Sequence, residues 1–231
     1  MNGSGIMADI FAIAIDGPSG SGKSTAAKLL AKELNITYVD TGAMYRAVGL
    51  YCRNNGVDTK DRAAVEAVLD DISITFRLVG DVRRIFLMGE DVTDTIRTQD
   101  IGMAASDVGA IAKVRGKLVQ MQQLIAKEQS VVMDGRDIGT VVLKDAEVKI
   151  YLDATVEERT RRRMGELKDK GIESDYETVK KEIEERDYKD THRDVTPLRK
   201  AEDAVYVVND GMSFEETTKL LSSIIKEKLG K

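Results

Sequence analysis

The sequence predicts an α/β fold with a parallel sheet. Three apolar runs, at residues 10–15, 131–134 and 148–152, have the composition of strands that are buried on both faces. Helix-forming segments with an apolar stripe lie between such runs. This alternation, in a chain of 231 residues with 42% hydrophobic content, indicates one sizeable core with appendages.

A Gly-rich stretch joins the first strand to the first helix. Four residues separate Gly17 from Gly22, and Lys23 and Ser24 follow, which is the pattern of a phosphate-binding loop. Backbone N–H groups and the positive end of the helix form an anion site, with Lys23 reaching the outer phosphates and Ser24 holding Mg²⁺. We therefore predict a nucleoside triphosphate site formed by Gly17, Pro18, Ser19, Gly20, Ser21, Gly22, Lys23, Ser24 and Thr25.

The other predicted elements continue the alternation and add an antiparallel insertion. Helices are expected at residues 25–34, 43–53 (capped by Asp40 or Thr41), 61–71, 100–127 with a break near Gly109, after the cap Thr155, at 176–192 and from the capping box at 213–216. Further strands are expected at 36–39, 72–76, 82–87 and 204–208, the last as a buried strand. The hairpin at 72–87 and a second turn at 88–91 suggest a subdomain attached to the core.

Charged residues follow the ends of several predicted strands. Asp134 ends the strand at 131–134, a position typical of a carboxylate that accompanies Mg²⁺ in phosphate-binding proteins. Arg136 and Asp137 follow at the same sheet edge, where ligands of α/β proteins bind. Arg46 lies one turn into the helix after the second strand, and its position alone fits a solvated surface charge equally well.

Residues 157–193 are predicted to form a charged helical hairpin. Arg159, Arg162 and Arg163 share one helix face by their spacing, and so do Arg186, Asp190 and Arg193. Charge runs of this kind are usually solvated faces. In a phosphate-binding protein, however, arginines on a mobile helix also suit a lid, since guanidinium groups bind phosphate through several directed donors.

Composition excludes several classes of protein and of binding site. The net charge of −5 argues against a surface that wraps nucleic acid. The single cysteine, Cys52, fits a reducing compartment, and we expect a cytoplasmic protein with neither a secretory signal nor a membrane segment. His192, the only histidine, is expected at the surface or at a helix end, and no Cys/His cluster suggests zinc. Residues 1–6 before Met7 are interpreted as an appended remnant.

These features together describe a small-molecule kinase. Phosphoryl transfer depends mainly on positioning and charge neutralisation, and an anionic phosphate acceptor needs no strong base. The many arginines favour such an acceptor, although Asp134 could serve an alcohol.

The ordered motifs resemble those of bacterial cytidylate kinases. They are the Gly-rich loop, Asp40-Thr-Gly-Ala-Met-Tyr-Arg46, Ile96-Arg-Thr98, Asp134-Gly-Arg-Asp-Ile-Gly139 and Glu185-Arg-Asp187, with Asp190, Arg193 and Pro197-Leu198. The resemblance runs from about residue 10 to residue 229. It implies transfer of the ATP γ-phosphate to CMP and dCMP with Mg²⁺, giving CDP or dCDP and ADP, by a monomer that binds neither nucleic acid nor membrane.

The resemblance also implies an architecture. The core would hold a five-stranded parallel sheet flanked by helices and would comprise residues 8–40, 100–156 and 194–231. Residues 41–99, with the antiparallel insertion, would form an acceptor-binding subdomain, and residues 157–193 would form the helical lid.

Individual residues take roles from the same resemblance. The CMP site would consist of Thr41, Arg46, Ser106, Arg115, Arg136, Asp137, Asp190 and Arg193. Within it, Ser106 and Asp137 would contact cytosine, Asp190 the sugar, and Arg46 and Arg136 the acceptor phosphate. The transferring phosphate would be surrounded by Lys23, Arg159, Arg162, Arg163 and Arg186, and Ser24 and Asp134 would hold the metal. Asn209-Asp210 stands where the family often has Asp-Thr, which leaves the contacts to the donor base open.

Two alternatives remain from the sequence. The first is a kinase of the same class that acts on AMP or on a small alcohol such as shikimate, against which Asp134–Asp137 and the insertion argue. The second is a nucleotide-dependent switch without transferase activity. The sequence has no Asn-Lys-x-Asp motif that would indicate a guanine-specific switch.

Overall fold

The computed structural model describes residues 10–80 and 82–230, so the interpretation of residues 1–6 lies outside the described chain. Within the described residues the strands are β1 (Ala12–Asp16), β2 (Thr37–Asp40), β3 (Ile74–Val79), β4 (Val82–Leu87), β5 (Glu90–Asp91), β6 (Val131–Gly135), β7 (Val148–Asp153) and β8 (Val205–Val208). The α-helices are α1 (Lys23–Leu34), α2 (Thr41–Asn54), α3 (Arg62–Val68), α4 (Gln99–Val108), α5 (Ala112–Glu128), α6 (Val156–Asp169), α7 (Tyr176–His192) and α8 (Phe214–Leu229).

A five-stranded parallel sheet lies at the centre, in the order β2-β6-β1-β7-β8, and confirms the predicted fold class. Its middle strand, β1, pairs with β6 so that Ile15 is opposite Asp134 and Asp16 is opposite Gly135. The carboxyl ends of these strands therefore meet, which brings the Gly-rich loop beside the segment that begins at Asp134.

The helix boundaries follow from side-chain caps. The Asp40 carboxylate accepts the N–H of Ala43 at 2.9 Å, so Asp40 rather than Thr41 caps α2. Thr155 caps α6, and Ser213 and Glu216 form the predicted capping box at the start of α8. The predicted break near Gly109 separates α4 from α5, and His192 is the exposed last residue of α7, as expected.

The insertion forms a separate antiparallel sheet in the order β3-β4-β5, as predicted. One detail of the prediction was wrong, because Glu90 and Asp91 belong to strand β5 and not to a turn. The turn is shorter and centres on Met88 and Gly89, which both have positive φ. Such a tight turn lets β4 and β5 pair directly across it.

Strand β8 corrects a second expectation, since it is an edge strand and not a buried one. Within the described part of the chain it pairs only with β7, and Tyr206 and Val208 are exposed. Only Val207 is buried, in a cluster with Leu221 and Ile225 of α8. One face of the strand thus contacts the core while the other faces solvent, which composition alone does not reveal.

The apolar residues form distinct clusters. Two of them lie on the main sheet, and a third packs α2–α5 against the small antiparallel sheet. Helices α6 and α7 form the predicted hairpin around a small cluster of their own, Leu167, Val179 and Ile183. Among the described residues no helix has the length and apolar character needed to cross a membrane.

Two helical glycines should respond in opposite directions to alanine. A Cβ on Gly49 of α2 would lie 2.9 Å from the Cβ of Ala104 in α4, whereas a Cβ on Gly116 of α5 would meet nothing within 4 Å. We expect Gly49→Ala to lower the free energy of unfolding by about 1–3 kcal/mol through overpacking. Gly116→Ala should raise it by about 0.5–1 kcal/mol. Urea denaturation measures both, and equal effects would contradict the close packing of α2 on α4.

Candidate active site

A cavity of about 350 Å³ opens beside the Gly-rich loop, which is large enough for part of a nucleotide. The loop and α1 form one side, Arg46 of α2 and Ser106 of α4 another, and α6 and α7 the third. The predicted site residues that line it are Ser19, Gly20, Gly22, Lys23, Ser24, Thr25, Arg46, Ser106, Arg162, Arg163 and Arg186. Residues from both predicted sites therefore share one cavity.

The loop has a backbone that only glycine tolerates at its first and last glycines. A Cβ on Gly17 would lie 2.0 Å from the carbonyl oxygen of Leu152. Gly22 has φ 86° and precedes α1 directly, so the first N–H groups of the helix are free to face the cavity. This geometry is that of an anion site at a helix N-terminus.

Lys23 is buried at the base of the cavity. Its ammonium donates to the carbonyl oxygen of Pro18 at 2.8 Å. Burial, followed by the charge of Arg136, lowers the pKa of Lys23 to about 7. An anion placed against this amine would favour its charged form, so the site is electrostatically suited to phosphate.

Ser24 and Asp134, the two residues that we predict to hold the metal, are in direct contact. The Ser24 hydroxyl donates to Asp134 Oδ2 at 2.6 Å, and the Tyr38 hydroxyl donates to Asp134 Oδ1 at 2.8 Å. Burial, with a smaller contribution from Asp40, raises the pKa of Asp134. The described residues contain no cluster of three or more metal-ligating acids, histidines or cysteines. A hydroxyl and one carboxylate nevertheless fit Mg²⁺, which keeps several waters and takes the rest of its ligands from phosphates.

A second group of predicted site residues forms a buried ion-pair network beside the cavity. Arg115 pairs with Asp137, and Arg193 lies 3.8 Å from the same carboxylate. Arg136 Nε donates to Asp190 Oδ2 at 2.7 Å. Thr41 is also nearby, because its hydroxyl donates to the backbone oxygen of Asp134 at 2.6 Å.

Arg186 contributes buried positive charge, and Asp190 and Asp187 lie near enough to favour it. Its Nε is buried and has no hydrogen-bond partner among the described residues, and the same is true of Nη2 of Arg193 and Nε of Arg115. Burial, followed by the charge of Arg136, lowers the pKa of Arg186 to about 10. Buried donors without acceptors are costly, so the arrangement favours an incoming anion.

The arginines of α6 occupy different positions. Arg162 donates to the carbonyl oxygens of Ser21 and Asn209 at 3.2 and 2.8 Å, and Arg163 pairs with Glu166 at 2.9 Å. Arg159 does not line the cavity, although we predicted it beside the transferring phosphate. Its guanidinium lies against the loop instead, 3.1 Å from the Ser19 oxygen and 2.6 Å from Asp187.

Four residues that the sequence analysis did not single out as site residues also belong to this region. Tyr38 holds Asp134, Arg97 lines the cavity and pairs with Asp40 at 2.7 Å, and Phe214 lines the cavity beside Gly22. Buried Asn209 donates to the Ser21 oxygen at 3.0 Å and so supports the loop. The available sequence signals were the Ile96-Arg-Thr98 motif for Arg97 and the place directly after the strand at 204–208 for Asn209.

The fold and the site together define a kinase of the P-loop class. A family model described as Cytidylate kinase matches residues 13–227. The chain is 48% identical over 218 residues to the cytidylate kinase of Caldicellulosiruptor saccharolyticus, covering 94% of this chain and 96% of the relative. It is 49% identical over 216 residues to that of Enterococcus faecalis, with the same coverage. The chain belongs to the cytidylate kinase family.

A solved structure supports the fold alone. An uncharacterized protein from Eubacterium ventriosum superposes with a TM-score of 0.52 at 14% identity, covering 95% of this chain and 99% of the other.

The buried pair of Arg115 and Asp137 should be essential for stability even without nucleotide. Asp137→Ala leaves Arg115 and Arg193 buried without their carboxylate, so we expect a loss of about 3–5 kcal/mol in the free energy of unfolding. Asp94→Ala removes a 90% exposed partner of Arg84 and should have little effect. Urea denaturation without ligands compares the two variants. Equal losses would show that the buried network contributes no more than a surface pair.

Proposed function

We propose that the protein transfers the γ-phosphate of ATP to CMP and dCMP, producing CDP or dCDP and ADP. The observation that carries this proposal is the shared cavity, in which Lys23 of the phosphate-binding loop faces the same space as Arg46 and Arg186. Membership of the cytidylate kinase family supports cytidylate as the acceptor. A donor and an acceptor phosphate bound in one cavity are held in the geometry that phosphoryl transfer requires.

On the donor side, the loop would hold the triphosphate of ATP. Backbone N–H groups between Gly17 and Thr25 would bind the phosphates, and Lys23 would contact the outer ones. Ser24 and Asp134 would hold Mg²⁺, which supplies positive charge that neutralises the phosphates. Phe214, beside Gly22, is placed to contact the rest of the nucleotide.

On the acceptor side, the arginines would bind the phosphate of CMP. Arg46 and Arg136 are assigned to that phosphate, and Ser106 and Asp137 to the cytosine ring. Asp190, with Arg193, is assigned to the sugar hydroxyls. Thr41 and Arg115 complete this site, and Arg115 orients Asp137 through their ion pair. The ion pairs of Arg115 with Asp137 and of Arg136 with Asp190 offset the cost of burying these charges, and they support the assignment by holding the groups beside the cavity.

The reaction needs no strong base. An anionic oxygen of the CMP phosphate attacks the γ-phosphorus, the new P–O bond forms in line, and the bond to the β-phosphate oxygen breaks to release ADP. Arg162, Arg163 and Arg186, with Lys23, would stabilise the charge on the transferring group. We retain Arg159 in this cationic group and propose that it acts indirectly, through its contact with the phosphate-binding loop.

We also propose three functional regions. Residues 8–40, 100–156 and 194–231 form the ATP-binding core, residues 41–99 the acceptor-binding subdomain, and residues 157–193 the lid. The separate apolar cluster of the α6–α7 hairpin supports a lid that moves as a unit. We assign the protein to pyrimidine nucleotide metabolism as a cytoplasmic monomer, for which buried, unpaired Cys52 is consistent with a reducing compartment.

A panel of acceptors tests the function directly. ADP release with ATP and Mg²⁺ is measured against CMP, dCMP, UMP and AMP in parallel. We expect CMP and dCMP to be used well and UMP poorly, because Ser106 and Asp137 would contact the cytosine amino edge. Turnover of AMP but not of CMP would refute the assignment, and ATP hydrolysis that ignores every acceptor would favour a switch.

Arg136 should matter for the acceptor and not for ATP. Arg136→Ala removes a charge-assisted contact to the acceptor phosphate, so we expect kcat/KM for CMP to fall about 10- to 100-fold, while ATP affinity changes little. Arg62→Ala removes an exposed arginine that pairs only within α3 and is the control. Steady-state kinetics with each substrate varied in turn gives both values. An unchanged dependence on CMP would remove Arg136 from the site.

A further inference from the structure

Asp16 is a buried carboxylate to which no role has been assigned so far. It is the last residue of β1, immediately before Gly17, and only 3% of it is exposed. Its two oxygens accept backbone N–H groups from Ile138 and Gly139, each at 2.8 Å. The two acceptor positions of one side chain are therefore both used, and both bonds reach a segment 122 or more residues away.

These bonds join the two halves of the site. Asp16 is continuous with the phosphate-binding loop, while Ile138 and Gly139 directly follow Arg136 and Asp137. The strand ladder between β1 and β6 ends at Gly135, so it does not fix the residues beyond. A short π-helical turn begins at Ile138, and the Asp16 carboxylate accepts its first two N–H groups.

The carboxylate is held there at a cost. Burial raises the pKa of Asp16 to about 6, even though both backbone N–H groups lower it. Because burying this charge lowers stability, we attribute the presence of a carboxylate here to the geometry that it imposes on its partners. The N–H groups of Ile138 and Gly139 need an acceptor in any case. A purely structural role, however, does not require that this acceptor be Asp16, the residue immediately before the phosphate-binding loop.

We propose that Asp16 is a positioning residue that fixes the acceptor-binding segment relative to the phosphate-binding loop, so that the acceptor phosphate is aligned with the transferring group. The inference rests on the proposed function, because it requires an acceptor at Arg136 and Asp137. Beyond the proposed function, we infer that the Asp16 side chain sets the spacing between donor and acceptor together with the sheet.

The test is Asp16→Asn, which keeps the size of the side chain. The amide retains one acceptor but directs its NH₂ group at the second backbone N–H, so the segment after Gly135 must shift. A shift of this segment would move the acceptor phosphate out of line with the transferring group, so we expect kcat to fall about 10- to 100-fold. ATP affinity, measured by calorimetry with a non-hydrolysable analogue, should stay within about two-fold because the loop itself keeps its contacts.

Two further variants make the result specific. Glu147→Gln changes a carboxylate that accepts the N–H of Ala12 at the other end of β1, at 2.7 Å, and should leave kcat unchanged. Gly139→Ala places a Cβ 3.3 Å from Lys149 Cδ and 3.4 Å from Asp16 Oδ2, and so crowds the same contact slightly from its partner. It should lower kcat in the same way, to a smaller extent, and it serves if Asp16→Asn does not fold.

The assay uses the nucleoside monophosphate that the wild type phosphorylates fastest among CMP, dCMP, UMP and AMP. Failure of the proposed function then appears in the wild-type panel, and failure of this inference appears in the ratio of variant to wild type. A kcat within two-fold of wild type in both variants at the Asp16 contact would overturn the inference. So would a loss of ATP affinity as large as the loss of kcat, since Asp16 would then support the loop in general.

Discussion

The pairing of β1 with β6 is the constraint on which both halves of the site depend. Its parallel register sets Asp16 beside Gly135, so the loop after β1 and the segment after β6 leave the sheet side by side. Ser24 can reach Asp134 only because of this register. A one-residue slip would turn each side chain of β6 to the opposite face and separate the hydroxyl from its carboxylate.

Charge balance is the second determinant of the site. Arg115, Arg136 and Arg193 are paired with Asp137 and Asp190. Even so, burial and then neighbouring cations lower the pKa values of Lys23, Arg186 and Arg193. Buried donors of Arg115, Arg186 and Arg193 have no acceptor among the residues that the structure describes. Phosphate groups are the natural complement, since they would both neutralise the charge and satisfy the unpaired donors.

The sequence predicted local elements and motif positions well, because they depend on neighbouring residues. The Gly-rich loop, the Ser213 capping box and the break at Gly109 are encoded within a few residues each. Strand β8 was misjudged because its burial depends on its place in the sheet order, which composition does not contain. The contacts of Asp16 and Tyr38 were missed for the same reason, since their partners are about 100 residues away in the chain.

The position of Arg159 shows how the charged hairpin is attached. At the start of α6, its guanidinium donates to the oxygens of Ala154 and Ser19 in the interior. The far side of the hairpin meets α4 through the exposed pair of Gln99 and Glu182, at 2.8 Å. Exposed polar contacts cost little to break, while buried donors lose their acceptors if displaced. Motion of the proposed lid would therefore separate the start of α7 from α4. The base of α6 would stay on the phosphate-binding loop, and the end of α7 would stay on Arg136 through Asp190.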